Sequence, residues 1–423
     1  MIKRIIKLLG TQAFTLPFER RSVVIEPFFE HRSLRQLVLR FAAFDHGDDS
    51  ALYRLGVIHD PELFTVGTDE VVVTFRTDGD VEVELRVGEQ PVVTLGRYHW
   101  ARVGDLEPDT TYPLTLDGVS HSALLPATVT TLPRPTGRRL ATIATVNDVH
   151  FGETSCGLLG TPGELGPILH SEPGEEPYPE VTNRGAIRAI ERLDPDAVVV
   201  KGDLTDRGSE EEYAEFLRAY TQLGARMHHV RGNHDAMVTE TIATDAPRAV
   251  ALNGVTLAIL DTVRPGTDRG RVSREQLDWL DQLAAESTEP VLTFGHHHPW
   301  NPSSHERNEA YFGINPEDSE ALCAVIGRRA ALAGYFAGHT HRTRTRHFPE
   351  ARNVPITEIA CVKDYPGAWA EYQVYEGGYV QLTRRIDAPD ALAWTEKTRA
   401  MFQGLYRDYA LGSLADRCFT QLF

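Results

Sequence analysis

The chain has 423 residues, 41% of them hydrophobic and 24% charged, with a formal net charge of −17 and four cysteines. That length exceeds the roughly 100–200 residues usual for one domain, so two are expected, and the acidic balance excludes a binder of nucleic-acid polymers, which needs a basic footprint. Cys156, Cys323, Cys361 and Cys418 fall at no paired spacing, which argues against a disulfide framework or a zinc knuckle and for a reducing, cytoplasmic compartment.

Residues 1–56 show no decisive pattern; the apolar stretch 34–43 fits a strand or a short helix equally well. The opening run is broken by Lys7, short of the ~7–15 continuous apolar residues of a signal peptide. No stretch reaches the ~18 apolar residues of a membrane span, so no stable membrane insertion is expected. From 57 to 133 the pattern turns to short alternating strands, at 71–75, 81–87 and 91–95, with Gly and Asp at the turns. That is the signature of a small all-β sandwich. A Pro, Gly and Arg linker, 133–139, follows it.

Beyond the linker an apolar strand, 143–146, ends on Asp148 and His150. The Gly- and Pro-rich loop 152–179 comes next, and either overhangs that pair or is a solvated insertion. A helical stripe of Ala186, Ile187, Ile190 and Leu193 precedes a strand running into Gly202-Asp203. Ser209 with Glu212, and Ser273 with Gln276, have capping-box spacing ahead of apolar helical runs. Further strands lead into Asn233-His234-Asp235, His296-His297-His298-Pro299 and His339-Thr340-His341. A helix is expected over 317–332 and strands over 255–260, 291–294, 335–337, 356–360, 372–375 and 379–384. Arg342, Arg344 and Arg346 alternate as one face of a strand. Residues 386–423 read as a polar, helical tail.

Five apolar strands thus end on Asp, His or Asn, as strands of an open α/β sheet do when their carboxyl ends build a site. Nitrogen and oxygen donors without thiolate suit Mn, Fe or Zn, and a carboxylate able to bridge suggests two ions.

The series Asp-x-His, Gly-Asp, Gly-Asn-His-Asp, His-His-Pro and Gly-His-x-His, in this order and spacing, resembles the calcineurin-like metallophosphoesterase superfamily over about residues 140–385. The resemblance implies a two-sheet α/β/β/α catalytic sandwich, here preceded by the small β-sandwich, and a dinuclear hydrolase of phosphate esters acting through a metal-bridging hydroxide. It implies that metal one takes Asp148, His150 and His341, that metal two takes Asn233, His297 and His339, and that Asp203 bridges them. His296 and His298 compete with His297 for its place. The family role of His234 is catalytic, donating to the phosphoryl or leaving oxygen, with Asp235 orienting it; Asn233 and His234 would touch substrate, and Arg207 is a further candidate contact.

Residues 270–280, Gly-x-x-Ser-x-x-Gln-Leu-x-Trp-Leu, resemble the class III cyclic-nucleotide phosphodiesterase branch, which favours small phosphodiesters. A phosphomonoesterase acting on nucleotides or sugar phosphates is the alternative, and a scaffold without chemistry is disfavoured because every ligand type is present. The run 106–112 resembles the tyrosine corner of fibronectin type III modules, which assigns Tyr112 to structure. A sandwich ahead of such a domain looks like plant-type purple acid phosphatases, but Asp206 stands where that branch has its iron-binding Tyr. The expected partner is a small phosphorylated substrate, with homo-oligomerisation left open.

Overall fold

The computed structural model describes residues 57–158 and 166–423. The expectations for residues 1–56, including stretch 34–43, and for the middle of loop 152–179 lie outside the described residues.

β1 (Ile58–Val66), β2 (Val71–Val87), β3 (Gln90–Val103), β4 (Thr111–Leu116) and β5 (Thr128–Thr130) join in one antiparallel sheet. The two strands expected at 71–75 and 81–87 are one, because a register shift between Arg76 and Val81 absorbs the Asp-Gly-Asp interruption as a bulge and bends the strand. Val71, Val73, Leu85, Leu114 and Val129 fill the core of this module, and the Tyr112 hydroxyl accepts the Glu107 N–H at 2.9 Å.

β6 (Arg139–Val146), β7 (Ala197–Lys201) and β8 (Met227–Val230) run parallel, and β15 (Ala368–Tyr375), β16 (Gly378–Arg385) and β17 (Cys418–Leu422) extend their sheet antiparallel beyond β6. β9 (Arg248–Leu252), β10 (Val255–Ile259), β11 (Val291–Phe294), β12 (Leu332–Ala337), β13 (Arg344–His347) and β14 (Pro355–Glu358) make the second sheet, in the order β13-β14-β12-β11-β10-β9. The alternation of side chains along each strand builds the layers. Val199, Ile143, Leu257 and Phe336 fill the space between the sheets. Val198 and Val200 face α1 (Tyr178–Leu193) and α2 (Glu210–Tyr220), and Ala258 and Tyr335 face α3 (Arg274–Glu286) and α4 (Pro316–Arg328). Each of the buried Val, Ile, Leu and Phe side chains contributes roughly 1.5–3 kcal/mol.

α2 carries the expected reciprocal cap, Ser209 with Glu212. α3 keeps half of its box: Ser273 accepts the Gln276 N–H, while the Gln276 side chain bonds the backbone of Asp261. α4 stops at Arg328 rather than 332, because Leu332 already begins the wholly buried β12.

The tail departs most from expectation. α5 (Pro389–Thr398) and α6 (Leu405–Leu411) are helical, but the chain ends as β17 on the edge of the first sheet. Nor is the tail a solvated appendage: Trp394 stacks on Tyr178 at 4.1 Å, and Tyr406 and Leu411 are buried with Cys156. The β-module is fastened to the same region. Arg417 donates to the backbone carbonyls of Leu63 and Phe64, Thr65 to that of Thr383, and Glu62 receives both Arg399 and Tyr365.

Candidate metal centre

The paired strands end level. Val146 lies opposite Val200, Lys201 opposite Val230, and Phe294 opposite Phe336, so the residues that follow emerge on one edge of the two sheets. There the backbone turns left-handed at Asp148 (φ 53°), His150 (47°), Asp203 (50°), His339 (69°) and His341 (52°). Such a conformation costs roughly 1–2 kcal/mol for a non-glycine residue, and residues held in it gather at functional sites. Each turn bends the chain sharply at the strand end and keeps its side chain over the sheet edge.

The result is a buried nest around Asp203. Its Oδ2 stands 3.5 Å from His150 Nε2, its Oδ1 3.3 Å from His296 Nε2, and the same Oδ1 accepts the His234 N–H at 2.9 Å. Burial opposes the Asp203 charge, yet the imidazoles of His296, His234 and His150 hold its carboxyl well below the usual range. On one side, Asp148, His150 and His341 converge, with His341 Nε2 3.4 Å from Asp148 Oδ1. On the other, one ring nitrogen each from His296, His297 and His339 lies within 4.8 Å of the others, and Asn233 Oδ1 is 3.1 Å from His296 Nε2.

These donors fit bound cations. Ring nitrogens of His150, His297 and His339 are buried without any hydrogen-bond partner, an arrangement that buried polar atoms avoid unless something else satisfies them. All seven expected ligand residues, Asp148, His150, Asp203, Asn233, His297, His339 and His341, lie around the nest. His298 turns aside, toward Glu358 at 3.9 Å.

Two expectations require correction. Asp235 does not orient His234, because its carboxylate is consumed by the N–H groups of Gly232, Leu204 and Thr205 and by the Thr205 hydroxyl. Four donors pin it beneath the loops that carry Asp203 and Asn233; the partner of His234 is the Asp206 carbonyl, 2.6 Å from Nδ1. Arg207 does not enter the nest either: its side chain is 78% exposed and pairs with Asp206.

Several supporting residues had no motif to announce them. Asn147 donates to the Asp148 carboxylate and to the Ile359 carbonyl. The Thr262 hydroxyl lies 3.0 Å from His297 Nδ1 and accepts the backbone N–H groups of His296 and His297. Asp364 stands with Oδ2 3.4 Å from His341 Nδ1 and accepts the Tyr406 hydroxyl through Oδ1. Cys361 donates to Asp364 at 2.7 Å, and burial pushes its thiol up to about 11, so it sits there as a thiol. Glu358 gathers Arg342, Arg344 and Arg346, the alternating arginines of the sequence. The only available signal for any of these was a polar residue inside a run that is otherwise apolar.

An edge of paired parallel strands that gathers imidazole, carboxylate and amide donors around one carboxylate is suited to holding metal ions. Residues 141–343 match the family model of the calcineurin-like phosphoesterases. A cAMP/cGMP dual specificity phosphodiesterase of Mycobacterium tuberculosis is 31% identical over 169 residues, 37% of this chain and 52% of that protein. A probable cyclic nucleotide phosphodiesterase of Synechococcus is 27% identical over 197 residues, covering 45% and 76%. A glycerophosphodiester phosphodiesterase of Enterobacter lignolyticus is 26% identical over 170 residues, covering 37% and 60%. The chain spans about half the length of the mycobacterial relative.

Proposed function

We propose that this protein hydrolyses small phosphodiesters, cyclic nucleotides foremost, with two ions of Mn, Fe or Zn held in the nest. The observation that carries the reading is the position of Asp203 between two lobes of buried donors, one carboxylate oxygen toward each. One similar protein bears the name cAMP/cGMP dual specificity phosphodiesterase, a second probable cyclic nucleotide phosphodiesterase and a third glycerophosphodiester phosphodiesterase; their common class is the phosphodiester.

Asp148, His150 and His341 would hold one ion, Asn233, His297 and His339 the other, and Asp203 both. The ions supply a water acidified for attack at neutral pH and neutralise the charge gathering on the phosphoryl oxygens. The remaining work falls to the chain. Asn233 contributes a neutral amide oxygen, which leaves more positive charge for the anionic substrate than a carboxylate would. His234 is one-third exposed at the mouth of the nest, with Nδ1 fixed on the Asp206 carbonyl. Its Nε2 is left free of that contact beside His150 and Asp203, able to give a proton to a departing alkoxide.

The test is a metal-reconstituted assay that compares bis-p-nitrophenyl phosphate and cyclic nucleotides with p-nitrophenyl phosphate and nucleoside monophosphates. Faster turnover of the diesters is expected. A preference for the monoesters over every diester would replace this reading with a phosphomonoesterase.

A further inference from the structure

The His296-His297-His298 run supplies two side chains to the nest, where the family resemblance asks for one. We propose that His296, in addition to His297, ligates metal two directly through Nε2, so that this site carries three imidazoles. The proposal rests on the two-ion reading above.

His296 is wholly buried, and its Nδ1 is 2.7 Å from the Lys201 carbonyl. A carbonyl only accepts, so Nδ1 carries the proton and Nε2 keeps its lone pair when the ring is neutral. That lone pair is aimed at Asn233 Oδ1, 3.1 Å away, and Asp203 Oδ1, 3.3 Å away. Both are acceptors. Three lone pairs converging in a dry pocket require positive charge there, either a proton on Nε2 or a metal ion. A proton on Nε2 would answer for His296 alone and would leave the unpartnered nitrogens of His297 and His339, in the same 4.8 Å cluster, unsatisfied. A metal ion answers for all of them.

The spacing agrees. Donors at right angles around an ion, with bonds of about 2.1–2.2 Å, stand about 3.0–3.1 Å apart. The pairs assigned to metal one, His150 Nε2 with Asp203 Oδ2 and His341 Nε2 with Asp148 Oδ1, show the related separations of 3.5 and 3.4 Å. The space for the ring is also built in. A Cβ on Gly202 would come within 2.6 Å of His296 Nδ1, and one on Gly232 within 2.8 Å of its Cε1, so the glycines of two other motifs form the slot. Site one then has two carboxylates and two imidazoles, and site two has three imidazoles, an amide and the shared carboxylate. The second is the softer, more zinc-like donor set.

The test is the proton NMR spectrum of the full-length protein loaded with Co(II), in which the ring N–H of each coordinated histidine gives a strongly shifted signal that disappears in D2O. Five such signals are expected, from His150, His296, His297, His339 and His341. His296→Leu should remove one of them and weaken binding of the second ion by ~10-fold or more in chelator competition, with one ion retained. Two bound ions with only four signals in the unaltered protein would overturn the assignment while sparing the two-ion reading. Failure to take up a second ion at all would overturn both. The wild-type count needs no variant, so it decides the matter even if His296→Leu does not fold.

Discussion

Glu62, in the first strand of the β-module, accepts the hydroxyl of Tyr365 at 2.9 Å across 303 residues of sequence. The same carboxylate is 1% exposed and takes Arg399 through both of its oxygens. Tyr365 follows Asp364, which faces His341, so an ion pair at the module boundary lies one residue from a support of the metal nest. Glu62→Ala removes both charge-assisted hydrogen bonds from Arg399, leaving Glu396 as its remaining ion-pair partner, and should cost roughly 1.5–3 kcal/mol; Tyr365→Phe should cost roughly 1 kcal/mol. Chemical denaturation measures both. A loss below about 1 kcal/mol for Glu62→Ala, or separate unfolding of residues 57–133, would show that the module is not integral.

His234 and Asp235 are neighbours with different duties, and their variants should separate. His234→Ala is expected to retain both ions and lose ~10²-fold or more in turnover, the scale of a lost general acid. Asp235→Ala leaves four buried donors without an acceptor and should destabilise the fold by about 3 kcal/mol or more. Metal content, turnover and a denaturation midpoint for each variant decide the point; intact stability in Asp235→Ala would contradict the bracing role.

Much of this was legible in the sequence because the signals are local. Strand ends at Asp148, Asp203 and His339 are written as apolar runs that stop on a donor, and the Ser209 cap is a four-residue pattern. What escaped was set by partners distant in sequence. Asp235 beside His234 invites pairing between them, and only the loop carrying Leu204 and Thr205 shows where its lone pairs go. The final strand, 418–422, is too short for its period to be told from the helical tail before it, and takes its form from the exposed edge of β16. Nothing in the residues around Asp364 marks it as the support of His341.

Glu396 gives the fold a defined sensitivity to acid. It is buried between Arg385 and Arg399; burial opposes its charge, but the two guanidiniums outweigh that and lower its pKa to about 2. Because the folded value lies below the roughly 4.3 of an unfolded Glu, the stabilisation is complete above pH ~4.3 and is lost as pH falls toward 2. It amounts to about 3 kcal/mol. Glu396→Gln should flatten that part of the stability curve, measured by denaturation between pH 2 and 5; an unchanged slope would contradict the linkage.

Asp206 occupies the place of the iron-binding tyrosine in purple acid phosphatases, and its backbone carbonyl is engaged by His234. Iron-loaded protein is therefore expected to lack a phenolate-to-iron charge-transfer band in its visible absorption spectrum. A purple product would show that a tyrosine from elsewhere reaches the metal.

The central claim is a pair of cations sharing Asp203, and an anomalous-scattering map of crystals loaded with Mn(II) tests it most directly. Two peaks ~3.5–4 Å apart are expected, one beside Asp148, His150 and His341, the other beside Asn233, His297 and His339, with the Asp203 carboxylate between them. A single peak, or a second one away from Asp203, would contradict it.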